Sequence, residues 1–308
     1  MPGGPDGSGR ALVFLAFGTI TFGFSSVLIK LCAFPAGIVA SLRMLIAGVV
    51  LAPFCLVAIG SIVRSRSLPR VLALLAPGLL LGLHFQLWVT GVRLTTVAAA
   101  TFIFATNPVA FAAAELAVYR RRLSGADWTA LALLAAGGGW LVAVNRGGIG
   151  THLAGDLLCL LATVVFAVYL LASQRVSAGV AHVPYLGLIY LAGGLLTLPI
   201  ALARGEGPAF DWGNGGAWAA LGALALLPTL VGHGSSMYAV RFFPPILVSF
   251  LTLCEPILSS IAAFVVLGER PAVREYPAYA LFVASTAVFL AARWASSRSR
   301  PREFAQRR

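Results

Sequence analysis

The sequence predicts an all-α polytopic membrane protein with ten transmembrane helices arranged as two inverted five-helix repeats. Three observations predict it. Hydrophobic residues make up 59% of the 308-residue chain, charged residues only 10%, and mean hydropathy is +0.93, too apolar for a water-soluble chain. Ten apolar stretches of near-spanning length follow one another. A polar residue followed by proline recurs midway along a stretch in each half: Asn107-Pro108 in one, and Glu255-Pro256 one repeat length, 148 residues, later.

The elements follow in order. Residues 1–10 are polar and Gly-rich, and the apolar run from Ala11 to Ile29 is too long for the core of a cleaved signal, so it reads as a retained first helix. The second helix is expected over Pro35 to Ile59, the third over Val71 to Val92, the fourth over Thr95 to Tyr119 and the fifth over Trp128 to Val144. After the Gly-rich turn Asn145 to Gly150, helices six to eight fall near Asp156 to Ser173, Val183 to Ala203 and Ala217 to Ala239. The ninth and tenth span Ile246 to Leu267 and Tyr276 to Trp294. The parts are thus a cytoplasmic segment 1–10, a first repeat 11–145, a second repeat 154–294 and a basic cytoplasmic tail 295–308. Five helices per half is an odd number, so the second half enters the membrane from the opposite side.

Basic residues in the connections set the orientation. With the N-terminus cytoplasmic, that side holds Arg10, Arg64, Arg66, Arg70, Arg120, Arg121, Arg122, Arg175, Arg241 and six C-terminal arginines, against Lys30, Arg93, Arg146, Arg204, Arg270 and Arg274 opposite. The expectation is a multi-pass inner-membrane protein with both termini inside. The net charge of +12 therefore reports topology and not a nucleic-acid partner. The tail offers contact to anionic lipid, although an orientation anchor is the simpler and favoured reading. The six tryptophans fall near helix ends or in a connection and read as an interfacial belt. Cys32, Cys55, Cys159 and Cys254 have no metal-binding spacing and read as free, packed thiols.

Polar residues inside apolar spans are the functional candidates, because an ionised side chain at the bilayer centre costs at least ~2.5 kcal/mol. Glu255, with Thr252 at i−3 and Ser259 at i+4, forms a polar stripe on the ninth helix, and its carboxyl is placed to take up and release a proton. Pro256 frees a backbone carbonyl, which at membrane depth points to a cavity wall. Polar residues at breaks in matching positions of two halves mark the midplane site of a two-repeat carrier. His233 lies mid-helix with Ser236 on its face, and His84 falls within one residue of it in the repeat register. Gln86 points away from His84 on an ideal helix. Arg43 lies well inside the second helix, where snorkelling or pairing with a carbonyl and contact with an anionic substrate group are both open. Glu115 reads as an interfacial partner of Arg120 to Arg122, and Asp156 as an N-cap. Thr21, Ser25 and Ser26 on the first helix, with Thr163 and Tyr169 on the sixth, permit close packing and weak hydrogen bonds to a substrate.

The stretches ASLRMLIAGVVLAP, GDLLCLLATVVFAVYLLASQR and EPILSSIAAFVVLGERP resemble the EamA-type repeat of the drug/metabolite transporter superfamily, over roughly Ala11 to Trp294. The first half departs from the pattern, with Tyr119 to Arg122 standing where the second has Gly268-Glu269-Arg270. The resemblance implies an inner-membrane carrier, commonly an exporter of amino acids, related metabolites or drug-like compounds. It also implies a central cavity lined by helices 1, 3, 4, 6, 8 and 9, which brings His84, Asn107, Tyr169, His233 and Glu255 to one site.

The reading from sequence is then a secondary transporter of a small metabolite, with His84, Asn107, Tyr169, His233, Ser236, Glu255 and Arg43 as substrate-binding candidates. Glu255 and His233 are the proton-coupling candidates. No cofactor or metal is expected, the partners are a small-molecule substrate and the lipid bilayer, and a homodimer is compatible with the chain. Two other classes stay open: a membrane hydrolase using Ser236 with His233, and a scaffold without flux. The hydrolase lacks a GxSxG elbow, an HExxH motif and a paired acid, and the scaffold leaves the paired broken helices without a purpose.

Overall fold

The computed structural model describes residues 5–112, 123–144, 153–207, 209–268 and 273–298. Glu115, Arg120 to Arg122, the 145–150 turn with Arg146, the Glu269-Arg270 pair and the tail from 299 lie outside the described residues. Every regular element among the described residues is helical. Seven helices are long and apolar enough to cross a membrane: Gly7–Leu31, Ala36–Ile62, Leu68–Leu94, Leu153–Val176, His182–Ala203, Gly215–Ala239 and Ile246–Leu267. Two shorter apolar helices, Val97–Ala112 and Tyr276–Ala292, and the 20-residue helix Gly125–Val144 occupy the positions expected for the fourth, tenth and fifth helices.

Packing pairs the two halves. The second helix lies along the seventh, and the fifth along the tenth. The third packs on the sixth as the eighth packs on the first, and the fourth meets both the sixth and the ninth as the ninth meets the first. Each of these contacts has its counterpart when the halves are exchanged. Two hydrogen bonds obey the same exchange: Arg93 Nη2 donates to the Cys32 carbonyl at 2.6 Å, and Arg241 Nη2 to the Val180 carbonyl at 2.8 Å, with 61 residues between the partners in both cases. Arg93 and Arg241, 148 residues apart, are thus matching staples across the end of a helix.

Small residues let the inner helices approach closely. A Cβ on Gly82 would lie 2.6 Å from the Thr197 side chain, and one on Gly91 would lie 2.7 Å from the sulfur of Cys159. A Cβ on Gly193 would collide with Met44 and with the Gly78 carbonyl. The third helix is thereby held between the sixth and seventh, with one face buried against them.

Several local expectations are corrected. Asp156 is not the N-cap of the sixth helix, which begins at Leu153; it lies in the first turn and accepts a 2.6 Å hydrogen bond from Thr95. The C-terminal end of the third helix is tied to the sixth there, so the carboxylate serves a long-range contact. Trp88 is buried at 4% exposure and leaves the interfacial belt, whereas Trp128, Trp140 and Trp212 are exposed as that belt requires. Cys254 is exposed, so only the other three cysteines are packed, and all four are free.

Candidate functional site

Proline chemistry breaks three helices that line one cavity. The fourth runs over Val97–Phe104, turns at Ala105 and Thr106, and resumes at 107–112. Pro108 has no N–H for the carbonyl one turn earlier, and Thr106 turns back to the Ile103 carbonyl at 3.1 Å. The ninth tightens to a 3₁₀ turn over Thr252–Cys254 before resuming as Glu255–Leu267. Pro256 removes the donor due to the Thr252 carbonyl, and the Glu255 N–H takes it instead, which draws the turn tighter. The eighth is π-helical over Ala225–His233 around Pro228, and the Thr229 hydroxyl donates to the Leu224 carbonyl at 2.8 Å.

These breaks meet around one cavity. Its walls are Phe22 and Ser25 of the first helix, Arg43 of the second, His84, Phe85 and Trp88 of the third, and Phe104, Asn107 and Phe111 of the fourth. Phe166 and Leu170 of the sixth, His233 and Ser236 of the eighth, and Val248, Ser249, Thr252 and Glu255 of the ninth complete it. The expected six helices line the cavity, and the second adds Arg43. A smaller void lies between the breaks of the fourth and ninth helices, with Asn107 and Glu255 in the wall of both spaces.

Arg43 is 1% exposed. Its Nε donates to Thr229 Oγ1 at 2.8 Å, its guanidinium carbon lies 4.1 Å from the centre of the Phe85 ring, and its Nη1 has no hydrogen-bond partner. This excludes snorkelling, since the head group points into the cavity wall and not towards an interface. The Tyr190 hydroxyl donates to the Thr229 carbonyl at 2.8 Å and stands 2.7 Å from His233 Nδ1. A phenol has one proton, so with that proton on the carbonyl the His233 Nδ1–H is the donor to Tyr190. His84 Nδ1 faces the Ala162 carbonyl at 2.8 Å, which only accepts, so it too carries its proton on Nδ1. In the neutral form each imidazole keeps Nε2 as a hydrogen-bond acceptor.

His233 Nε2, Glu255 Oε2, Asn107 Oδ1 and Ser236 Oγ are buried without a hydrogen-bond partner. Buried polar groups are nearly always paired, so four unpaired atoms around one void mark a place built for something else to bind. Ser236 Oγ and His233 Nε2 do not bond one another, and the nucleophile–base pair of a hydrolase is not assembled.

Of the seven binding candidates, Arg43, His84, Asn107, His233, Ser236 and Glu255 line one cavity. Tyr169 stands behind it, fully buried, with its ring 5.5 Å from that of His233 and 5.7 Å from that of Phe166. Gln86 turns to the second helix, as its spacing from His84 implies, and donates to the Gly37 carbonyl and to Ser41. Thr21 and Thr163 donate their hydroxyls to carbonyls of their own helices. Tyr190 and Thr229 hold Arg43 and His233 in place, and sequence reasoning missed both. A tyrosine in an apolar span carries no motif, although the proline one residue before Thr229 is a signal of a break.

The model of the EamA-like transporter family matches residues 9–143 and 153–291, one match in each half. A solved crystal structure, 21% identical, superposes with a TM-score of 0.72 over 93% of this chain and 99% of its own, and shows a shared fold. Among curated proteins none matches.

Proposed function

This chain belongs to the EamA-like transporter family, and from that premise we propose that it exports a small metabolite across the inner membrane by alternating access, with proton exchange at Glu255. Membership makes it a membrane transporter of small molecules. One observation carries the finer reading: Arg43 and Glu255, opposite in charge and buried, line one aromatic cavity, and each has an atom without a hydrogen-bond partner. Two such groups are costly to bury, and the cost is offset where a ligand completes them. A molecule with an acceptor for Arg43, a donor for Glu255 and an apolar body for Phe85, Trp88 and Phe166 fits. Amino acids, related metabolites and amphipathic drug-like compounds meet that description.

The contacts at the helix ends support ten spans with inverted halves, and the excess of arginine on one side supports cytoplasmic termini. Under that arrangement Cys32, Arg93 and the connection 204–214 share the outer side, while Val180 and Arg241 share the inner side, and each set does meet. The outer side is closed between halves: Glu206 accepts from the Gly37 and Ile38 amides at 2.7 and 3.1 Å, and Phe34 stacks on Phe210 at 4.3 Å. Releasing these contacts while the inner side closes is the rocking that alternating access requires. A proton on Glu255 neutralises that carboxylate for its return, and a substrate donor replaces that proton for the outward step.

The test is a thermal-shift screen of the purified protein against amino acids, nucleosides, polyamines and cationic dyes, followed by flux of any hit in proteoliposomes with an imposed pH gradient. A ligand at a hundred times its dissociation constant adds ~2.7 kcal/mol, which is visible in a melt. The proposal expects a hit weakened in Glu255→Gln and a pH-driven flux absent from that variant. Flux of equal size and equal pH dependence in Glu255→Gln would overturn the coupling. No hit and no flux would overturn the substrate site.

A further inference from the structure

The smaller void between the two breaks has a composition that proton exchange does not explain. Thr101, Asn107, Ser249, Thr252 and Glu255 all contribute to its wall. Each of the three hydroxyls donates its single proton to a backbone carbonyl: Thr101 to Val97 at 2.8 Å, Ser249 to Ile246 at 2.9 Å and Thr252 to Ser249 at 2.9 Å. Their oxygens therefore have only lone pairs to offer anything else. Asn107 Oδ1 and Glu255 Oε2 are acceptors without partners, on residues 4% and 3% exposed. Five residues whose oxygens can accept line one small space. A proton needs only the carboxylate and leaves the other four idle.

We infer that this void is a binding site for a small monovalent cation, Na⁺ foremost, held between the broken fourth and ninth helices by Glu255, Asn107 and the hydroxyl oxygens of Thr101, Ser249 and Thr252. A hard cation takes oxygen ligands, and a single carboxylate balances a single charge. Divalent ions ask for more acidic groups, and no cluster of three or more His, Cys, Asp or Glu that could hold a metal occurs among the described residues. Discontinuous helices at matching positions of two repeats are also where exposed backbone and side-chain oxygens can surround an ion at membrane depth. The inference rests on the reading of Glu255 as the coupling residue and deepens it: the cation neutralises Glu255 in the state in which no proton does. Since Glu255 and Asn107 also line the larger cavity, occupancy of the small void changes the wall that a substrate meets.

The experiment uses the purified full chain without substrate, at fixed pH and fixed chloride, with N-methyl-D-glucamine replaced by Na⁺ from about 1 to about 100 mM. The melting temperature rises by a few degrees and saturates in wild type, rises less with K⁺, and does not respond in Glu255→Gln. Thr252→Val moves the Na⁺ midpoint at least about tenfold upward, the loss of one ligand. Asn107→Asp, which adds a charge to the same wall, moves it about tenfold downward. An equal response to Na⁺, K⁺ and N-methyl-D-glucamine, or a wild-type Na⁺ midpoint in Thr252→Val and Asn107→Asp, overturns the site. Should Glu255→Gln fail to fold, those two variants decide alone. No substrate or flux enters this measurement, so a missing Na⁺ response removes the cation site and leaves the transporter reading to its own test.

Discussion

Replacing Arg43 with methionine separates a binding role from a structural one. A buried ion loses several kcal/mol of hydration, after relaxation of its surroundings. Against this, the 2.8 Å bond from Nε to Thr229 contributes ~1.5–3 kcal/mol as a hydrogen bond from a charged donor, and the Phe85 ring at 4.1 Å contributes ~2 kcal/mol. The opposing contributions nearly cancel. Methionine fills a similar slot without charge, and Thr229 keeps its own proton on the Leu224 carbonyl at 2.8 Å, so no buried donor is stranded. Arg43→Met is therefore expected to unfold within about 1 kcal/mol of wild type, while its affinity for a hit from the ligand screen falls by roughly 10- to 100-fold, the loss of one charged hydrogen bond. Unfolding in mixed micelles and ligand titration of the melt give the two numbers. A stability loss above ~3 kcal/mol, the size seen when one member of a buried pair is removed, would refute the cancellation and make Arg43 a structural residue. Unchanged affinity would remove it from the site.

Three further outcomes follow from particular contacts. Tyr190→Phe deletes the hydroxyl shared by the Thr229 carbonyl and His233 Nδ1, leaving a buried donor and acceptor unpaired; stability should fall by about 2–4 kcal/mol, and ¹⁵N spectra of His233 should show mixed tautomers in place of one. Gly193→Val places side-chain atoms where Met44 and the Gly78 carbonyl already lie, and the variant should lose at least ~3 kcal/mol or fail to fold, read by size-exclusion profile. Glu206→Gln keeps an oxygen for the Gly37 and Ile38 amides but removes the charge at that helix start, so it should weaken the outer closure by ~0.5–1 kcal/mol. Cysteine labelling of a residue placed at Phe34 should then be faster than in the parent, and an equal rate would show that Glu206 does not hold the closure.

Much of the architecture is legible in the chain itself. Composition and the run of apolar stretches identify the membrane class, because twenty apolar residues have few other stable homes. Asn107-Pro108 and Glu255-Pro256 identify the breaks, because a missing N–H acts on its own helix wherever that helix lies. The same locality places Gln86 away from His84. Trp88 and Asp156 escape such a reading for the converse reason: their partners, the cavity aromatics and Thr95, come from elsewhere in the chain.

Where a helix carries no polar stripe, tertiary packing decided which face turned inward. A soluble helix shows its buried face by an apolar stripe, but lipid and protein interior are equally apolar here, so the sequence period carries little of that information. Nothing in the second helix by itself turns Arg43 towards Thr229, and nothing in the seventh sets Tyr190 between Thr229 and His233. The close approaches at Gly82, Gly91 and Gly193 set those rotations, and with them a cavity whose charges stand unpaired.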